Sequence, residues 1–191
     1  TGVANEGAIA GASMIKSLID GGVMPKGVDY GVMDAALNKG ETAMVINGPW
    51  AWSNLKTSGI NFGVAPIPSV DGKPSKAFVG VLAATVNAAS PNKDIAKEFI
   101  ESYMLTDDGL KTVNDDVPLG AVTSVSFAKQ VEADANIAAT LANAQTGVPM
   151  PSIPAMGKFW AAMEPALRSI TNGQSSVEEA LAGAETRILA E

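Results

Sequence analysis

The sequence predicts an α/β fold rich in helix, and three observations carry that expectation. Apolar residues recur at helical spacing over most of the 191 residues, in segments bounded by capping and breaking residues. Short apolar runs at 43–46, 61–66 and 77–86 interrupt the helices and read as strands. Between the first run and the next helix stands Asn47-Gly48-Pro49-Trp50-Ala51-Trp52. That is the order of a strand, a tight exit turn and a helix whose first turn carries an aromatic. In open α/β sheets ligands bind outside the carboxyl ends of strands, which places such an aromatic where a ligand would be met.

The first helix, 6–20 with Asn5 as the alternative start, carries Ala8, Ala12, Ile15 and Ile19 on one face and stops at Gly21-Gly22. A second, 30–38, turns Val32, Ala35 and Leu37 inward and breaks at Gly40. The run 43–46 is a buried strand, and Pro49 suits a first helical position, so 50–56 is a short helix. Turn chemistry at Pro68, Asp71-Gly72 and Pro74 separates the strands 61–66 and 77–86. The latter is apolar on both faces, the pattern of a strand running through a core.

From Ser90-Pro91 the chain turns helical: Ser90 caps, Pro91 fits the first turn, and Ile95, Phe99 and Tyr103 form a face at i, i+4, i+8. Thr106 caps a further helix through Val113, and Asp115-Asp116 closes it. Two short helices follow at 124–133 and 137–145, then a stiff irregular loop at 147–154 with three prolines. Helices at 155–170 and 177–189 end the chain. The last opens on a capping box, Ser175-x-x-Glu178, and buries Val177, Ala180, Leu181, Ala184 and Ile188. Three strands are few for this length, and an isolated pair is marginal. The expectation is therefore an incomplete architecture, part of a larger mixed sheet.

Composition narrows the function. Apolar residues make up 47% and charged residues 17%, ordinary for a globular protein. The net charge of −7 without a Lys/Arg cluster argues against nucleic acid and anionic membranes as partners. With no cysteine and no histidine, thiol nucleophiles, disulfides, the commonest general base and the commonest transition-metal ligand are all missing. A binding protein without catalytic residues, metal or cofactor is the expectation. The opening Thr-Gly-Val-Ala-Asn has no initiator Met and no leader pattern, and reads as a mature soluble protein or an internal piece of one. No uninterrupted apolar stretch is long enough to cross a bilayer.

Few residues stand out as ligand contacts. Trp50 and Trp52, two apart on a short helix, face different directions, so one can line a cleft while the other is buried. On composition alone a Trp after Gly-Pro is more often a packing anchor. Trp160 follows Phe159 near the start of a helix whose inner face is Ala, Met and Leu, where a core role is the default. Tyr30, beside Asp29 at a helix start, is by default a half-exposed aromatic. Met150, between two prolines, forms a flexible apolar wall. The acidic pairs Asp107-Asp108 and Glu178-Glu179 complement helix dipoles, and no carboxylate spacing argues for glycosidase chemistry. No phosphate loop or EF-hand occurs.

Several segments carry a resemblance to a known family. They are Lys-Gly-Glu-Thr-Ala-Met at 39–44, Asn-Gly-Pro-Trp-Ala-Trp-Ser-Asn at 47–54, Phe-Val-Gly-Val-Leu at 78–82 and Asn-Ala-Ala-Ser-Pro-Asn-Lys at 87–93. To these add Met-Leu-Thr-Asp at 104–107, Pro-Leu-Gly-Ala-Val at 118–122 and Phe-Trp at 159–160. In order and spacing they resemble the C-terminal half of the periplasmic maltose/maltodextrin-binding proteins of bacterial ABC importers, over essentially the whole chain.

The resemblance implies a type II periplasmic binding protein, two α/β lobes joined by hinge strands with sugar in the cleft between them. By analogy 1–78 and 136–191 are part of the C-terminal lobe and 81–129 is part of the N-terminal lobe, with 77–86 as a hinge-crossing strand. It implies a periplasmic, non-enzymatic protein that captures maltose or maltodextrin and delivers it to the membrane permease subunits of an importer. A sugar-sensing module coupled to a chemoreceptor and a carbohydrate-active enzyme are the alternatives. By position Tyr30, Trp50 and Trp160 match the family's C-lobe aromatics and Met150 a nearby apolar contact. Flat rings suit the apolar C–H faces of pyranoses. Trp52 stays in the core. Glu164 stands where the best-known member has an Arg near the site's outer end, and Ala161 where it has a Tyr. Both departures bear on longer maltodextrins more than on the central sugars. A chain lacking the other half is also expected to expose apolar surface and self-associate.

Overall fold

The structure is a computed structural model that describes residues 1–190. Its elements are α1 (Glu6–Asp20), α2 (Tyr30–Asn38), a 3-10 turn Pro49–Ala51 running into α3 (Trp52–Thr57), and β1 (Phe78–Val79). Next come α4 (Lys93–Phe99) continuing into a π turn Ile100–Met104, α5 (Asp107–Asp116), α6 (Val125–Val131) and α7 (Ala135–Thr146). β2 (Val148–Pro149), α8 (Met156–Thr171) and α9 (Val177–Leu189) complete the order. The chain divides into two compact units, 1–32 with 151–191, and 33–150.

In the first unit α1, α8 and α9 pack on one another around Ala12, Ala162, Ala166, Ile170, Val177, Ala180, Leu181 and Ala184. Small side chains at these contacts let helix axes approach closely, and the larger Ile170 and Leu181 fill what remains. Asn5 caps α1 by accepting the Ala8 N–H. Pro165 lies inside α8 and supplies no N–H to the carbonyl of Ala161. One residue further on, the Arg187 guanidinium of α9 donates to the Ala162 carbonyl at 3.2 Å. The capping box of α9 is Ser176 with Glu179, one residue later than expected: the Ser176 hydroxyl accepts the Glu179 N–H and the Glu179 carboxylate accepts the Ser176 N–H. The Ser-Ser and Glu-Glu doublets make the sequence pattern degenerate by one position. Ser175 is instead hydrogen-bonded to Ser169 at 2.8 Å.

In the second unit Leu37, Ala51, Trp52, Leu55, Phe127 and Ile137 are buried. The Trp52 and Phe62 rings lie with centroids 6.3 Å apart. α2, whose first three residues belong to the first unit, ends as expected at Gly40, whose positive φ lets the N–H groups of Gly40 and Glu41 return to Leu37 and Ala36. Val32 and Ala35, expected inward, are exposed, and Leu37 alone of that trio is buried.

The strands differ most from expectation. Among the described residues the named strands are only β1 and β2, two residues each, paired in parallel with Phe78 opposite Val148 and Val79 opposite Pro149. The segment 147–154, expected as a loop, thus contains a strand, with Pro149 as its second residue. The run 43–46 is not a strand, and Met44 and Ile46 are exposed. Only Phe78 and Val79 of 77–86 join a ladder, while Val81 and Leu82 are exposed, which overturns burial on both faces. The run 61–66 is also unladdered, because side chains of α7 take its backbone groups. Asn136 accepts the Val64 N–H at 3.0 Å, and Asn143 accepts the Ile67 N–H at 3.0 Å and donates to the Ala65 carbonyl at 3.2 Å. A β-rich composition makes a ladder only where another backbone is in register.

α4 begins at Lys93 rather than at Pro91, and the Ser90 hydroxyl accepts the Asn92 N–H in the preceding turn. Ile95, Phe99 and Tyr103 share a face but stay exposed, with the rings of Phe99 and Tyr103 stacked at 6.4 Å across the π turn. Thr106 caps α5, which runs to Asp116 rather than Val113. No helix among the described residues is long and apolar enough to cross a membrane.

Candidate ligand-binding site

Trp50 owes its position to a few residues of the second unit. Gly48 is extended (φ −132°, ψ 178°), and its N–H donates to the side-chain oxygen of Asn47 at 2.9 Å. Pro49 opens the 3-10 turn, where its fixed φ is preorganised. The Ala51 N–H closes the turn on the Gly48 carbonyl at 3.1 Å. Ala51 and Trp52 are buried (3% and 6% exposed), whereas Trp50 between Pro49 and Ala51 is 65% exposed. The turn is thus nailed down by two core side chains and presents the third.

The six-membered ring of Trp50 occupies the space beside the Gly48 α-carbon where any other residue would carry its Cβ: Cε3, Cζ3 and Cη2 all crowd that point. Gly120 stands in a similar relation to Pro49, whose Cγ would be struck by a Cβ at 120, and Gly120 also has φ +69°. Nδ2 of Asn47 is buried with no hydrogen-bond partner among the described residues, a local cost of this turn. Reading Asn47-Gly48-Pro49 as a tight turn missed Gly48 and Gly120 as functional candidates. The sequence signal was present in the Gly two residues before an exposed Trp, but only the fold brings Gly120 to Pro49.

Met150 follows β2 in the same unit, and its N–H donates to the Val79 carbonyl at 2.9 Å, so its backbone is held although its side chain is partly exposed. The remaining candidates lie in the other unit. Tyr30 opens α2 and is exposed, and the Asp29 carboxylate accepts the Val32 N–H at 2.9 Å to cap that helix. Trp160, on α8, is 48% exposed, with the Phe159 ring edge-on at 5.0 Å. Glu164 is one helical turn beyond Trp160 on the same face and pairs with Arg168 at 2.9 Å. Both partners are exposed, so that pair contributes little to stability. The candidates therefore divide, Tyr30, Trp160 and Glu164 in one unit and Trp50 and Met150 in the other.

The aromatic candidates suit adhesion to a flat apolar face. Exposed aromatic rings on fixed backbone offer flat apolar area at low conformational cost. Among the described residues no polar or charged residue is buried as a whole, although Nδ2 of Asn47 is, and no group of three or more His, Cys, Asp or Glu is placed to hold a metal ion.

Comparison with known proteins gives this arrangement its context. The model of the bacterial extracellular solute-binding proteins matches residues 1–140. The chain belongs to that family. Membership brings the periplasmic binding protein fold, with which a helix-rich chain of few strands agrees. A galactooligosaccharide-binding protein of Bacillus subtilis is 28% identical over 186 residues, which cover 94% of this chain and 44% of the relative. A maltooligosaccharide ABC transporter solute-binding lipoprotein of Streptococcus pneumoniae is 27% identical over 193 residues, 98% of this chain and 45% of the relative. A maltotriose-binding protein of Pyrococcus abyssi is 28% identical over 147 residues, 74% of this chain and 32% of the relative. The resemblance to maltodextrin-binding proteins thus stands. The chain spans less than half the length of these relatives.

Proposed function

We propose that this chain is part of the solute-binding component of an ABC importer and takes oligosaccharides of the malto-oligosaccharide class. The observation that carries the reading is Trp50: in a solute-binding family member, a turn anchored by Ala51 and Trp52 holds an indole exposed. The sugar-named relatives align with most or nearly all of this chain, which supports a saccharide as the solute. Trp50, Trp160 and Tyr30 stack on pyranose faces, Met150 supplies an apolar edge, and Glu164 lies toward the outer end of a longer oligosaccharide. The complete protein has two lobes, with 1–78 and 136–191 in one, 81–129 in the other and sugar in the cleft. That division refers to the complete protein, whereas the two units above divide the contacts within this chain. Capture is extracytoplasmic and non-enzymatic, followed by delivery to the permease subunits.

Titration calorimetry on the intact protein with maltotriose and with a galactooligosaccharide tests the reading. We expect maltotriose to bind unchanged in composition, and Trp160→Ala to weaken it by about 2 kcal/mol, the scale of a buried aromatic anchor. Binding to neither sugar, or release of shortened products, would overturn it. Tighter binding of the galactooligosaccharide would keep the saccharide class and replace the malto-oligosaccharide preference.

A further inference from the structure

We propose that Gly48 is a positioning residue for the ligand-facing ring of Trp50, with Gly120 supporting the same ring at one remove through Pro49. The inference rests on Trp50 being a sugar contact. An indole with 65% of its surface exposed ordinarily has several staggered rotamers open to it. Here part of the ring fills the volume of the absent Gly48 Cβ, so dispersion contacts with the Gly48 backbone give it a floor.

The backbone at Gly48 does not itself ask for glycine. Its φ of −132° and ψ of 178° are extended values open to any residue. The indole asks for it, since any side chain at 48 must push the ring away. Gly120 answers two demands, a positive φ and the approach of the Pro49 ring. Pro49 joins the two glycines: it follows Gly48, precedes Trp50, and its ring rests against Gly120. The tilt of Trp50 is in this way constrained by two residues with no side chain to touch a ligand. A stacking platform fixed before the sugar arrives avoids the ordering cost that a mobile ring would incur on binding.

A ligand-free measurement tests the packing. In proton NMR of the intact protein the Gly48 Hα resonances should be shifted upfield by the Trp50 ring and return to ordinary values in Trp50→Ala; unshifted resonances in the parent would overturn the inference. A double-mutant cycle tests the role, with maltotriose affinity and the thermal midpoint measured together. Trp50→Ala and Gly48→Ala should each weaken binding about tenfold, with Gly48→Ala leaving the midpoint near that of the parent. In the Trp50→Ala background Gly48→Ala should cost nothing further. Gly120→Asn, which tolerates positive φ but carries a Cβ, should weaken binding in the parent and not in Trp50→Ala. Gly48→Ala binding like the parent while Trp50→Ala is weakened would overturn the positioning role and leave the sugar contact intact. An undiminished loss from Gly48→Ala on top of Trp50→Ala would also overturn it. Parent-like binding by Trp50→Ala would remove the sugar contact itself, with the ring shift still reporting whether the packing is real.

Discussion

The side-chain oxygen of Asn143 accepts the backbone N–H of Ile67 at 3.0 Å, and its amide nitrogen donates to the Ala65 carbonyl at 3.2 Å. Two helical turns earlier, Asn136 accepts the Val64 N–H at 3.0 Å. The match is geometric. Seven residues of α-helix rise about 10.5 Å, and three residues of extended chain span about 10 Å. Asn136 and Asn143 thus keep pace with Val64 and Ile67, and a helix edge does for this segment what a neighbouring strand does elsewhere.

Asn143→Leu should therefore destabilise the protein by about 1–3 kcal/mol, because backbone groups at Ile67 and Ala65 lose their partners. Asn143→Asp keeps the acceptor for Ile67 and should cost less. Urea unfolding measures both, and hydrogen exchange should show the Ile67 amide losing protection in the Leu variant. Unchanged stability and protection in Asn143→Leu would mean that water replaces the side chain without loss.

The contrast between strands and helices shows what the sequence made legible. The bounds of α1, α2 and α9 could be read because caps and breakers such as Asn5, Gly40 and the Ser176 region act within a few residues of the helix they bound. The runs 43–46, 61–66 and 77–86 carry strand composition, but pairing is non-local: Val64 and Ile67 are served by asparagines more than 70 residues away. At the candidate site the split between Trp50 and Trp52 followed from their spacing, and their exposure agrees with it. The dependence of Trp50 on Gly48, and of Pro49 on Gly120, was not legible, since it comes from side-chain volume in three dimensions.

Trp52 and Trp50 should respond oppositely to truncation. Trp52 is 6% exposed and touches Phe62, so Trp52→Ala should cost about 3–5 kcal/mol of stability, in the range for large aromatic truncations in cores. Affinity for sugar in the molecules that remain folded should be nearly unchanged. Trp50→Ala should lose much less stability and more affinity. Thermal unfolding with calorimetric titration of both variants decides the matter, and a larger stability loss at Trp50 would reverse the assignment.

The first unit is sensitive in both directions of volume. Leu181 is almost fully buried among small residues, so Leu181→Ala should leave a cavity and cost about 2–5 kcal/mol. Ala184 is completely buried, so Ala184→Leu should overpack the same core at a cost of about 1–3 kcal/mol. The two changes together should be less damaging than their sum, because one makes room near where the other needs it. Additive losses in chemical denaturation would show that the two sites share no space.

Asp20 offers a test of pH dependence with a definite sign. As the last residue of α1 it sits at the negative end of the helix dipole, which by itself would favour the protonated acid. Its carboxyl is nevertheless held below the ordinary aspartate value, first by the hydrogen bond from Lys16; desolvation opposes this, and the charges of Lys16 and Lys26 assist it. A carboxylate whose folded-state value is depressed adds stability above its unfolded-state value and loses it as pH falls through the folded-state value. The contribution is accordingly present at neutral pH and disappears only in the acid range. Lys16→Met should move the Asp20 titration, followed by NMR of its carboxyl carbon, up toward the ordinary value. Lys26→Met should move it in the same direction by less, since its charge is the last of the causes. Raising the salt should reproduce part of the Lys16 effect by screening this exposed pair. An Asp20 that titrates at the same pH in the parent and in Lys16→Met would show that the hydrogen bond does not hold the carboxyl down.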